Sequence, residues 1–461
     1  MWRPGVDGMD ADEELEYDPT AYDCLHAWQL EWPCLSFDVV RDELGENRTH
    51  FPHALFAVAG TQADAPERNE VAVMRVTRLK KTRRDPKKKP ARARDESASE
   101  SESESDDSDD SDADADAGAP SSRSGSSPSL RVRKIAHHGA VNRVRVAPTR
   151  ASGGAALAAT WSEAGIVQVW DLSPQLAELA SAEAEDRETE TRASSARRVA
   201  PAHAFSGHRD EGYAVDWSEA AEGRLVTGDN SGGIHVWDPA SGGRWAVSKE
   251  ARFDGGHAGS VEDLQWSPAE RDVFASCGSD GAVCIWDARQ RAKPAIKVDG
   301  VSDVDVNVMS WNRRANYMLA TGADDGALRI WDLRNFQSSA GSGRDARETY
   351  VANFSFHRGP ITSVEWARFD SAMLATSSAD HTVCVWDLAV ERDAEEEAAA
   401  MAAGDNALAP EDLPPQLMFV HQGMRDPKEL HWHHQIPGMC LTTAADGFNA
   451  FKAYNVGNEV A

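Results

Sequence analysis

A tryptophan followed by an aspartate recurs along the chain, at Trp170-Asp171, Trp237-Asp238, Trp286-Asp287, Trp331-Asp332 and Trp386-Asp387, and a histidine stands upstream of most of these pairs. His208 to Trp237, His257 to Trp286 and His357 to Trp386 each span 29 positions, and His138 to Trp170 spans 32. A fixed interval around variable sequence is one structural unit copied many times. Within "HAGSVEDLQWSPAERDVFASCGSDGAVCIWDAR" the runs "VEDLQW", "VFASCG" and "AVCIWD" are separated by the turn signals "SPAERD" and "GSDG". The period inside each run is about two residues, so the copied unit is a set of short strands.

These units resemble the blades of WD-repeat propellers. The resemblance implies that a blade is pinned by a histidine, a strand Ser or Thr, a turn Asp and the Trp, bonded in series so that no buried polar group is left unpaired. His257, Ser276, Asp280 and Trp286 match that set, as do His357, Thr376, Asp380 and Trp386. Ser302 replaces the histidine in the repeat ending at Trp331, Ala164 and Ser231 replace the turn Asp in the first two repeats, and Lys452 stands where a sixth Trp is expected. Six units can be counted, the last being "LHWHHQIPGMCLTTAADGFNAFKAY". Three strand-like runs in residues 34–79 supply most of a seventh, so that closure joins the two ends of the chain and removes exposed edges.

Ahead of these runs, "DPTAYDCLHAWQLEWP" reads as a helix. Asp18 caps it, Pro19 takes the first helical position, Leu25, Trp28 and Trp32 repeat at i, i+3 and i+7, and Pro33 stops it. The expected fold is all-β, a seven-bladed WD-repeat β-propeller with an N-terminal α-helix and a disordered acidic insertion. Residues 1–17 form a disordered N-terminus, 18–79 the helix and ring-closing strands, 80–129 the insertion and 130–461 the propeller.

The 461 residues carry a net charge of −28, which argues against direct nucleic-acid binding and for basic partners. The six cysteines form no CxxC pair and sit in apolar runs, as thiols of a reducing compartment. The polar start and the lack of a long apolar stretch imply no signal peptide and no membrane span. The Ser, His and Asp sets recur blade after blade, unlike an active site, and His431, His433 and His434 follow strand alternation and a turn. The expectation is a protein with no enzymatic activity, cofactor or metal.

"EWPCLSFDVV" with "EDLPPQLMFVHQG" resembles the histone-binding WD-repeat chaperones, in which an N-terminal helix and a double-proline loop form a groove for a partner's helix. That resemblance assigns Leu25 and Trp28 to one side of a groove and Glu411, Asp412, Leu413, Pro414 and Pro415 to the other. Asn142, Glu211, Tyr213, Glu262, Asn307 and Thr362, with Lys428 as a misfit, correspond to the axial positions that hold an Arg/Lys-rich tail in those relatives. Carboxylates, amides and a tyrosine suit that chemistry.

"CLSFDVVRDELGENRTHFPHALFAVAGTQA", "VNRVRV", "SVEDLQWSP", "DGALRIWDLR", "DLAVERD" and "QLMFVHQG" together resemble the glutamate-rich WD-repeat proteins. This implies a nuclear and nucleolar monomer that escorts one basic large-subunit ribosomal protein, number three of the universal series, into nascent ribosomes, with core histones as further partners. "FASCGSDGAVCIWDAR" and "LATGADDGALRIWDLR" also resemble the Trp-Asp-x-Arg box of cullin-ligase substrate receptors, ending at Arg289 and Arg334, which would bind the ligase adaptor.

Nine bases lie between Lys80 and Arg94, and Lys87, Lys88 and Lys89 resemble an import signal; residues 95–116 then hold twelve acids and no base. Such a block cannot bury enough apolar surface to offset its ordering entropy. Glu100, Glu102, Glu104, Asp106, Asp107, Asp109 and Asp110 are expected to hold the basic client, and phosphorylation of Ser103, Ser105, Ser108 or Ser111 to tighten the hold. The block is placed between two blades. The low-complexity stretches at 175–198 and 392–412 read as connecting loops with some helix.

Overall fold

Each repeat folds as an antiparallel sheet whose first strand lies at the centre of a ring. The seven first strands are Cys34–Val40, Val141–Val146, Val215–Trp217, Val261–Trp266, Val306–Trp311, Ile361–Trp366 and Pro427–Trp432; they touch one another in that order, and the last touches the first. The computed structural model describes residues 18–82, 128–148, 154–181, 196–339, 349–391 and 413–457. Within them the chain is a seven-bladed propeller, with two short helices, Ser173–Ser181 and Leu333–Ser339, outside the sheets. No helix among the described residues is long and apolar enough to cross a membrane.

Glycine on a second strand lets neighbouring blades stack closely. A Cβ on Gly60 would run into Val141, one on Gly228 would lie 2.7 Å from Val261 and one on Gly322 2.5 Å from Ile361, in each case the opening residue of the next blade's first strand. Gly60→Ala therefore forces a shift between the first two blades and is expected to cost about 1–3 kcal/mol, read from the urea midpoint.

The helix expected over residues 18–33 is a strand. Asp18 does cap Thr20, and Pro19 does open a turn, but the turn is a single 3-10 one, Pro19–Ala21. The chain then extends as Tyr22–Trp28 and pairs antiparallel with the last strand, Gly447–Ala453, from Tyr22 opposite Ala453 to Trp28 opposite Phe448. The last blade has three strands of its own, and an uncovered edge leaves backbone donors and acceptors unpaired; satisfying that edge outweighs the helical spacing of Leu25, Trp28 and Trp32. The period-2 signal was also present, since Tyr22, Cys24 and Trp28 are the buried positions.

The insertion is likewise placed differently. The first blade takes Cys34–Val40, His53–Thr61 and Glu70–Leu79, as expected, but its fourth strand is Ser129–Ala136, paired with Glu70–Leu79 over eight positions. Residues 83–127 thus enter and leave within one blade, between its third and fourth strands, and not between blades. The block 95–116, its serines, Lys87–Lys89 and residues 1–17 lie outside the described residues.

Candidate functional site

The tetrads expected from the repeat are formed. His257 Nδ1 meets Asp280 Oδ1 at 2.8 Å and Nε2 meets Ser276 Oγ at 2.7 Å, while Trp286 Nε1 donates to the same Oγ at 2.8 Å. His357, Asp380, Thr376 and Trp386 repeat this at 3.1, 2.7 and 2.9 Å. Two assignments need correction. In the blade ending at Trp170 the histidine is His137, whose Nε2 lies 3.2 Å from Thr160, whereas His138 is exposed. In the next blade the carboxylate is Asp229, bonded to His208 at 3.0 Å, with Ser231 donating its hydroxyl to it. The turn there is displaced by two residues, which the fixed spacing concealed. His137→Ala is expected to cost about 1–3 kcal/mol and His138→Ala less than about 0.5 kcal/mol, as measured by thermal melts of the two variants.

Six of the seven first strands carry a β-bulge at their second residue, where pairing with the second strand slips by one. The extra residues are Leu35, Asn142, Glu262, Asn307, Thr362 and Lys428. A bulge leaves its residue out of the ladder and re-aims its side chain, and bulges concentrate beside binding sites. Five of the expected axial positions are therefore equivalent in backbone geometry, at one end of the ring.

They are not equivalent in use. Asn142 is buried, and its amide donates to Glu211 Oε2 at 2.9 Å; the Thr362 hydroxyl donates to the Pro427 carbonyl of the next blade at 2.9 Å. These two join blades. Lys428, the misfit, is ion-paired to Asp426 at 2.5 Å. Glu211, Tyr213, Glu262 and Asn307 remain partly open, with Asn307 Nδ2 donating to Asp324 Oδ1 at 2.8 Å and Ser260 donating to Glu262.

Three neighbours were missed by sequence reasoning: Asp305, Asp324 and the exposed Val304, 38% accessible. The sequence "SDVDVN", where the blade lacks its histidine, was the available signal. Burial, with the charge of Asp305, raises the Glu262 carboxyl above its ordinary range. Burial, with Glu211 and Glu262, raises the Tyr213 phenol. An arc spanning the third to fifth blades thus concentrates negative charge that a cation would relieve.

Beneath this mouth, side chains of the first strands stitch each blade to the next. Asp38 accepts from Val146 N, Asp216 from Trp266 N, Gln265 from Trp311 N, Ser310 from Trp366 N and Glu365 from Trp432 N, at 2.7 to 3.1 Å. Glu429, 1% exposed, completes the circuit: it accepts from the Ser36 hydroxyl at 2.6 Å, Phe37 N at 2.8 Å, Arg143 at 2.7 Å and Arg145 at 2.8 Å. Burial opposes its charge, but Arg145 and Arg143 outweigh burial and hold it well below the ordinary range. At the other end of the channel Glu219 bridges Arg313 at 2.9 Å and Arg368 at 2.8 Å. His431 meets Glu365 at 2.9 Å, His433 accepts from Gln435 N, and no group of three metal-ligating side chains occurs among the described residues.

The side groove is altered by the missing helix. Trp28 is buried and stacked on Phe448, with centroids 5.6 Å apart, and Leu25 packs against the cluster around Phe451. Both serve the ring seam. Leu413, Pro414 and Pro415 are partly buried, with Leu417 N donating to the Pro414 carbonyl; Glu411 and Asp412 lie outside the described residues.

The family profile for the histone-binding protein RBBP4 and its counterpart in the CAF1 complex matches residues 12–80, and the WD-domain G-beta repeat matches residues 249–287, 297–332 and 348–387. The chain is 49% identical over 459 residues to Protein HEAT STRESS TOLERANT DWD 1 of Arabidopsis thaliana, covering 99% of this chain and 92% of that one. It is 42% identical to Glutamate-rich WD repeat-containing protein 1 of Dictyostelium discoideum, covering 99% and 85%. The chain belongs to the glutamate-rich WD-repeat family. It is also 40% identical to Ribosome assembly protein rrb1 of Schizosaccharomyces pombe, covering 98% and 84%. In this member of the glutamate-rich WD-repeat family Arg289 and Arg334 are exposed, each forked onto the aspartate two residues before it, Asp287 and Asp332.

Proposed function

We propose that the chain is a non-enzymatic escort of a basic large-subunit ribosomal protein, number three of the universal series, acting in ribosome assembly in the nucleus and nucleolus. The carrying observation is the acidic arc of the axial face, where Glu211, Glu262, Asp305 and Asp324 surround Tyr213 and Asn307. A guanidinium or ammonium entering it gains charge-assisted bonds and a ring face, and relieves the repulsion that raises Glu262. The name of the fission-yeast relative supports the assembly setting. Residues 95–116 add long-range attraction, which raises encounter rate and depends on salt, while the arc gives specificity.

The test offers the intact protein, and one lacking residues 95–116, the ribosomal protein and a histone pair together near physiological salt. Preferential capture of the ribosomal protein, weakened or aggregation-prone after the deletion, is expected. Preferential capture of histones indifferent to the deletion would instead favour a histone-binding role in chromatin assembly, the reading supported by the profile over residues 12–80. A third reading, a substrate receptor of a cullin ubiquitin ligase, draws on the exposed Arg289 and Arg334 and would be marked by co-purification of the ligase adaptor.

A further inference from the structure

The outer rim of the first blade carries a charge opposite to that of the chain as a whole. Residues 70–82, 128–136 and 196–198 hold nine bases and one acid in a chain of net charge −28. The topology brings these three segments together. Ser129–Ala136 is the edge strand of the blade, paired along one side to Glu70–Leu79; residue 197 joins it only through an isolated parallel bridge at Ile135.

Arg75 and Arg131 are directly opposite in that register, an arrangement of like charges that costs stability unless an anion lies near. Arg78 has φ of +61°, at a bulge against His53–Thr61, and its side chain is exposed. A left-handed conformation is unfavourable for an arginine, yet here it turns a cation out to the rim. Glu178 pairs with Arg133 and Arg197, and Glu31 and Glu70 with Lys134, but these acids are outnumbered.

We propose that this strip is the docking surface for the chain's own acidic run, residues 95–116. The run leaves the described structure at residue 82 and returns at 128, which are the C-terminal end of one rim strand and the start of the other. Thirteen residues separate 82 from 95, a span of at most about 45 Å, and an eight-residue strand is only about 27 Å long, so the run can reach any part of the strip. Twelve acids with no base face nine bases with one acid, and attachment to the same blade gives the run an effective concentration of order millimolar for this surface. In the free protein the strip therefore holds the polyanion, and a basic client takes it by exchange, not by binding an unoccupied chain.

Zero-length carbodiimide coupling of carboxylates to amines tests this on the full-length chain without any client. Arg78→Lys, Arg133→Lys and Arg198→Lys place amines in the strip while keeping its charge. At about 0.1 M salt, where the Debye length is about 10 Å, mass spectrometry should find most links from residues 95–116 at positions 78, 133 and 198; these should vanish at 1 M salt, where it is about 3 Å. Links spread equally to Lys249, Lys293 and Lys428, links confined to Lys87–Lys89, or links only between two copies distinguished by isotope label would each overturn the proposal. The assignment rests on 95–116 acting as a polyanion and not on which client it holds, so its failure leaves the escort reading to its own test.

Discussion

Replacing Glu429 with alanine is expected to cost about 3–5 kcal/mol, enough to leave much of the population unfolded at 37 °C. The carboxylate joins three blades: it accepts from Ser36 and Phe37 of the first blade and from Arg143 and Arg145 of the second, while itself belonging to the seventh. Removing it leaves two arginines, one 12% and the other 18% accessible, facing each other without their shared anion. Glu429→Gln keeps the shape and part of the hydrogen bonding and should fall between wild type and alanine. Glu67→Ala, on an exposed turn, should be neutral. Urea unfolding of the four proteins gives the ordering, and a Glu429→Ala midpoint equal to that of Glu67→Ala would show that the circuit closes without its keystone.

Acid should weaken the fold well before the carboxylates of its ion pairs titrate. Burial holds His53, His235 and His421 down to about 4 and His433 to about 3. The unfolded chain protonates these rings as pH falls through about 6.5, whereas the folded chain does so only near 4 or below, so stability is lost across that window. Asp216, raised to about 7 by burial, works the other way, because the folded chain holds its proton before the unfolded one does. His431 does not add to the loss. Burial opposes its charge, but Glu365 and Glu429 raise it to about 9, so its contribution is complete below about 6.5 and declines as pH rises through 9.

Four protons against one predict a loss of roughly 2–4 kcal/mol per pH unit between about pH 6 and 5. His421 makes the effect local as well, since its Nδ1 lies 2.8 Å from the Tyr22 hydroxyl across the ring seam. Urea midpoints at pH 7.5, 6 and 5 measure the slope. A flat profile would show that these histidines exchange protons with solvent in the folded state.

The propeller was legible because its signal is repeated: a period-2 pattern with a fixed His-to-Trp interval survives the loss of any one member, as at Ser302 or Lys452. The N-terminal strand was not, because Leu25, Trp28 and Trp32 satisfy a helical spacing while Tyr22, Cys24 and Trp28 satisfy an extended one, and only the uncovered edge of Gly447–Ala453, hundreds of residues away, decides between them. The same distance hid the fourth strand of the first blade, since "SLRVRKIA" has no partner in its own neighbourhood once residues 83–127 intervene. At the axial face, counting back from strand ends found the bulge positions but not their use. Asn142 and Thr362 are consumed by contacts to the next blade, while Asp305 and Asp324 enter the arc from loops whose spacing follows no repeat.

The central claim is that the acidic arc holds a basic ribosomal protein. Its most direct test is the dissociation constant of that protein for the intact chain and for a Glu211→Gln, Glu262→Gln, Asp305→Asn variant, at several salt concentrations and with matched melting curves. The account predicts at least a tenfold weakening, about 1.4 kcal/mol or more, with a shallower salt dependence in a protein that melts normally. Unchanged affinity in a folded triple variant would contradict it and move the client to another face of the ring.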